Sequence, residues 1–93
     1  HSHLPHGVRL PDGRRVVNPG SVGCPAYVDD HPVLHAVESG SPDARYALLE
    51  RAGGDWRVTF RSVPYDTARM AELAEGLGRP EWARAVATGW VTA

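Results

Sequence analysis

The chain has 93 residues, with 10 Lys and Arg against 11 Asp and Glu and a formal net charge of −1. That length allows one small domain with a modest core, and that charge excludes a general affinity for nucleic acid or for an anionic membrane. No apolar run approaches the roughly 20 residues that cross a bilayer, and a single cysteine, Cys24, excludes an internal disulfide, so the reducing cytoplasm is the expected compartment.

The first predicted element is a hairpin. Val8 and Leu10 alternate with polar neighbours and predict a short strand. Leu10-Pro11-Asp12-Gly13 is a turn signal, with Pro11 presetting φ and Gly13 accepting a positive one. Arg14 to Asn18 returns through Val16 and Val17 until Asn18-Pro19-Gly20-Ser21 breaks the strand, because Pro19 has no N–H for a ladder. Residues 22–43 carry Gly, Pro, Ser and Asp throughout and read as a long loop. Ala44 to Arg51 and Asp55 to Val63 form a second hairpin across Ala52-Gly53-Gly54. In its return strand Trp56, Val58 and Phe60 alternate with Arg57, Thr59 and Arg61, the pattern of one buried and one wet face.

Asp66 is the expected N-cap of a helix carrying Met70, Leu73, Ala74 and Leu77, with Gly78 as its stop. Pro80 suits the first turn of a second helix, on which Trp82, Val86 and Trp90 share a face. Both helices are expected to lay their apolar sides on the sheet, and Trp56, Trp82 and Trp90 read as core residues.

The chain opens on His1-Ser2-His3. In an extended segment residues two apart share a side, which puts two imidazoles roughly 6–7 Å apart at Cβ. Such a pair suits divalent transition metals. On spacing alone, three other readings stand beside it: a solvated polar segment, a tag remnant, and a square-planar Cu²⁺ or Ni²⁺ chelate through a free α-amine at His1. Met70 is the only methionine, and the expectation is a piece of a longer chain.

The stretch His1-Ser2-His3-Leu4-Pro5, then a hairpin, then Val17-Asn18-Pro19-Gly20-Ser21-Val22-Gly23 resembles the end of the calcineurin-like metallophosphoesterases. More closely, it is similar to their small bacterial and archaeal phosphodiesterase branch, which carries a Gly-His-(Thr/Ser)-His motif, a β-hairpin and an Asn-Pro-Gly-Ser loop in that order. The match covers residues 1–23 closely and the second hairpin more loosely. The resemblance implies that His1 ligates one ion of a dinuclear centre and His3 the other. It implies that Asn18, Pro19, Gly20 and Ser21 lie close behind the site as support and not as ligands. It further implies two divalent transition-metal ions, Mn²⁺ first with Fe, Ni, Co or Zn open, serving hydrolysis of phosphate mono- or diesters.

The family's other ligands are an Asp-x-His pair, a bridging Asp, an Asn in a Gly-Asn-His motif and a further His. None has a counterpart in these residues. The chain is therefore expected to be the C-terminal portion, over residues 1–93, of a single metallophosphoesterase domain, inactive without its N-terminal half. The fold class that follows is α/β, or α+β: a two-sheet β-sandwich flanked by helices, of which this chain supplies two β-hairpins followed by two short helices. Alone it would expose an apolar sheet face and a strand edge, inviting self-association into a homo-oligomer. Two alternatives are a non-catalytic β-rich interaction module with incidental histidines and a catalytically dead relative.

Other polar residues carry lesser expectations. His6 reads either as a substrate-side imidazolium facing the phosphate or as a solvated strand residue. Asp29, Asp30, His31 and His35 form a second cluster, and His31 and His35 have the spacing of a helical ligand pair; Pro32 favours a solvated loop. The segment 22–43 is expected to overhang the site and shape the choice of phosphate ester. Cys24 has no recognisable base and reads as structural.

Overall fold

The computed structural model describes residues 2–91. Turn and strand signals yield β1 (His6–Arg9), β2 (Arg15–Asn18), β3 (Ala26–Asp29), β4 (His35–Glu38), β5 (Ala44–Ala52) and β6 (Asp55–Val63), followed by α1 (Thr67–Gly76) and α2 (Pro80–Thr88). The strands pair as three antiparallel hairpins, β1–β2, β3–β4 and β5–β6, each a separate two-stranded sheet among the described residues. The chain is thus mixed α/β, built from hairpins and two helices. No described helix is long and apolar enough to cross a membrane.

The expectation of two hairpins is corrected to three. The stretch 22–43 is not a loop throughout: it contains β3 and β4, with Tyr27 opposite Val37 and Asp29 opposite His35. Each of these strands has 4 residues, too few for alternation to stand out beside the Asp, His and Pro of the connection. The signal that could have found them is Ala-Tyr-Val-Asp and His-Ala-Val-Glu flanking a turn-rich segment at 30–34.

Locally encoded features form where the residue types place them. The Leu10 amide donates to the Arg14 carbonyl at 2.7 Å, and the Gly13 amide donates to the Leu10 carbonyl at 3.0 Å, closing the first turn. The Asp66 carboxylate accepts from the Arg69 amide at 3.1 Å and caps α1. Gly78 follows the end of α1 at φ +75 and donates its amide to the Glu75 carbonyl at 3.0 Å. Pro80 opens α2, and Gly89 closes it in the left-handed conformation.

Burial follows a different map. The buried residues among those described are Pro25 and Ala26 at the start of β3, Ala83, Ala85 and Val86 on α2, and Gly89 at its end. α2 lies on β3, and α1 lies on α2, not on the sheet as expected. The dock is tight at its C-terminal end. The Gly40 amide donates to the Gly89 carbonyl at 2.9 Å, a Cβ on Gly89 would strike the Ser41 backbone, and the Val91 amide donates to the Glu38 carboxylate at 2.8 Å.

The β5–β6 ribbon is the reverse. Opposite residues share a face, so Tyr46 and Leu48 project to one side and Leu49, Trp56, Val58 and Phe60 to the other. Apolar groups therefore occupy both faces, and none of these residues is buried. The placing of Trp56, Trp82 and Trp90 in the core is corrected likewise, since all three are exposed. Arg51 and Arg79 guanidinium groups lie over the Trp56 and Trp82 rings at 5.3 and 5.6 Å, a contact that suits half-wet aromatic faces. The radius of gyration is 15.7 Å, against about 12 Å for a compact chain of this length. The accessible surface is 6521 Å², against roughly 5,300 Å² for a compact protein of this mass.

Candidate metal-ligand site around His3

His1, the first expected ligand, lies outside the described residues. His3, the second, has φ +58 and is the one described non-glycine residue with a positive φ. The left-handed conformation costs an L-residue about 1–2 kcal/mol, and it persists where the surroundings over-determine it.

Two contacts, both from distant sequence, do so here. The ring Nδ1 lies 2.8 Å from the Cys24 carbonyl oxygen, and the ring centroid lies 4.7 Å from that of Tyr27 at an interplanar angle of 52°. A carbonyl oxygen only accepts, so Nδ1 carries the proton and donates it. In the neutral ring Nε2 then keeps its lone pair. That is the tautomer a metal-ligating imidazole uses, with its second nitrogen tied to a carbonyl or carboxylate.

The Asn18-Pro19-Gly20-Ser21 turn grips this segment from behind. Asn18 Nδ2 donates to Ser2 Oγ at 3.1 Å, and Asn18 Oδ1 accepts from the Gly20 amide at 2.9 Å. Ser2 Oγ also accepts from the Leu4 amide at 3.3 Å. Ser21 Oγ accepts from the Cys24 amide at 2.9 Å, which sets the peptide whose carbonyl meets His3. The Ser21 carbonyl accepts from the Arg45 amide at 2.9 Å and ties the turn to β5. Gly20 is at φ +96, and a Cβ there would come within 2.7 Å of Arg45 Cβ and 3.4 Å of Pro5 Cδ. Any larger residue at 20 would thus be strained and would push against Arg45. The turn touches Ser2 and Pro5 directly and acts on His3 through Cys24.

The Cys24 thiol itself is pushed up from its ordinary pKa by burial. That is the opposite of an activated nucleophile, and the carbonyl is the part of this residue that meets the site.

His6 begins β1, is exposed, and donates Nδ1 to the Leu4 carbonyl at 2.8 Å. The helical spacing of His31 and His35 is not realised, because His31 sits in the β3–β4 connection and His35 in β4. His31 is exposed, 3.6 Å from the Asp30 carboxylate. His35 donates Nδ1 to the Val33 carbonyl at 2.8 Å and meets the Tyr27 ring edge-on at 6.4 Å. Sequence reasoning missed Tyr27 because the strand that carries it was missed.

Among the described residues no group of three or more His, Cys, Asp and Glu could hold a metal ion. The donor set fits one ligand position, an imidazole whose Nδ1 is tied to a carbonyl, and not a complete centre. A hollow of about 530 Å³ lies elsewhere, at the tips of β1–β2 and β5–β6. There Arg9 pairs with Asp55 at 2.8 Å and Arg15 donates to the Trp56 carbonyl at 2.7 Å. Its lining contains none of His3, Cys24 or Tyr27.

Comparison of the chain with family models, with curated proteins and with solved structures finds no match. The resemblance to metallophosphoesterases rests on the motifs of residues 1–23 alone.

Proposed function

We propose that the chain is the C-terminal portion of a metal-dependent phosphoesterase that hydrolyses phosphate mono- or diesters, with His1 and His3 as the last two histidine ligands of a dinuclear centre. One observation carries this reading: the His3 ring gives its Nδ1 proton to the Cys24 carbonyl and keeps Nε2 for coordination. When bound, two divalent ions, with Mn²⁺ the first choice and Fe, Ni, Co or Zn behind it, would polarise a phosphoryl oxygen and lower the pKa of the attacking water. His3 binds and orients at Nε2. Asn18, Gly20 and Ser21 hold the backbone on either side of it. His6, exposed at the start of β1, is assigned to the substrate side.

The remaining ligands then come from an N-terminal half that completes a two-sheet sandwich in the cytoplasm. The apolar residues on both faces of β5–β6 are the surfaces such a half would cover.

A second reading, a non-catalytic β-rich interaction module, is favoured by the same exposed apolar faces and by the absence of a three-donor group among the described residues. Both readings require a cover, and only the first requires a metal. The test is hydrolysis of p-nitrophenyl phosphate and bis(p-nitrophenyl) phosphate by the whole gene product with Mn²⁺. The expected result is metal-dependent release that disappears in His3→Ala. A folded gene product that binds metal without release is the catalytically dead relative. One that does neither is the interaction module.

A further inference from the structure

We propose that Tyr27 is the positioning residue for His3: its ring, carried on β3, holds the imidazole in the orientation that presents Nε2. What the ion at Nε2 then does rests on the phosphoesterase reading; the positioning does not.

The His3 ring is tethered at Cβ, and the hydrogen bond to the Cys24 carbonyl adds a hold at Nδ1; a limited tilt about the line through these two points is still open. A ring packed against it at 4.7 Å and 52° removes that freedom, at a separation and tilt within the range of favourable aromatic pairs. Edge and face are thus held by different residues, which also explains how His3 is kept at φ +58.

The platform is itself anchored. Strand alternation puts Ala26 and Tyr27 on opposite faces of β3–β4. Ala26 is 3% exposed on the strand that α2 covers, so the strand is anchored at the residue next to Tyr27. On the hairpin's other face His35 is the diagonal neighbour of Tyr27, and its edge contact at 6.4 Å limits the tyrosine ring in turn. A ligand carried on a packed strand is positioned more closely than one on a free loop. This also gives the β3–β4 hairpin, missed in the sequence, a role at the site.

The test uses the ¹⁵N-labelled whole gene product, two-bond ¹H–¹⁵N imidazole spectra and a titration with Zn²⁺ alone. Wild type and Tyr27→Phe are expected to show His3 as a single tautomer protonated at Nδ1. Tyr27→Leu keeps an apolar strand residue but no ring; it is expected to keep the Nδ1-protonated tautomer that the Cys24 carbonyl sets and to bind Zn²⁺ at His3 about tenfold more weakly. The methyl signals of Ala83 and Val86 report whether the α2–β3 dock is intact, so a lost strand is not mistaken for a lost contact. An unchanged Zn²⁺ affinity in folded Tyr27→Leu overturns the proposal. If the Tyr27 effect stands while the whole gene product hydrolyses no phosphate ester, the phosphoesterase reading fails and the positioning survives.

Discussion

The α2–β3 dock and the β5–β6 ribbon divide order and burial between them. The dock is made from a 4-residue strand, a 9-residue helix and glycines that let backbones touch, and it buries Ala26, Ala83, Ala85 and Val86. The ribbon has two 9-residue strands in unbroken register and buries none of its side chains. A hydrogen-bonded ladder makes a ribbon, and only a covering layer makes a core; a lone hairpin is marginal in water for that reason. The candidate ligand leans on the dock through Tyr27.

The largest expected effect breaks the dock. Gly89→Ala would place a Cβ against the Ser41 backbone at φ +79. Left-handed strain and overpacking together should cost about 3 kcal/mol, seen as lost cooperative unfolding in urea. Gly54→Ala at the ribbon tip has φ +84 with nothing within 4 Å, and should cost only the conformational term, about 1 kcal/mol. Equal losses would erase the distinction between the regions.

Side-chain truncation gives the next contrast. Val86→Ala in α2 should cost about 2 kcal/mol, whereas Leu48→Ala, 43% exposed on the ribbon, should cost under about 1 kcal/mol. Repeating Leu48→Ala in the whole gene product sharpens the point. If a second layer covers that face, the loss should rise to at least about 2 kcal/mol. Removing the α1 cap with Asp66→Ala should cost about 1 kcal/mol, lowering the urea midpoint by less than the dock variants do.

The smallest effect is electrostatic. The Arg9 hydrogen bond, helped by the Trp56 amide, holds the Asp55 carboxyl below its ordinary pKa. A carboxylate lowered in the folded state contributes above its unfolded pKa, and that contribution fades as pH falls through the folded value. Because Asp55 and Arg9 are exposed, salt should shrink it further. The ¹³C carboxyl shift of Asp55, titrated at low and high salt, should show a lowered midpoint that moves back toward normal in salt and in Arg9→Ala.

What was legible in the sequence was local. The Leu10–Gly13 turn, the strand over Asp55–Val63, the Asp66 cap and the Pro80 start depend on residues within a few positions of each other, and all appear in the structure; the buried face expected of that strand does not. Strands β3 and β4 were hidden because each is a single short run interrupted by turn residues. The exposure of Trp56, Trp82 and Trp90 was hidden because periodicity shows which residues share a face, not whether anything covers it. At the candidate site His3 could be named from its motif. The Cys24 carbonyl that sets its tautomer, 21 residues away, could not, since any residue type offers a carbonyl and only the fold decides which one arrives.

The most direct test of the central claim is elemental analysis of the purified whole gene product beside its His1→Ala/His3→Ala variant. The phosphoesterase reading predicts about two transition-metal ions per chain, lost from the variant while its fold is retained. A folded gene product without metal, or a variant that keeps both ions, would contradict it.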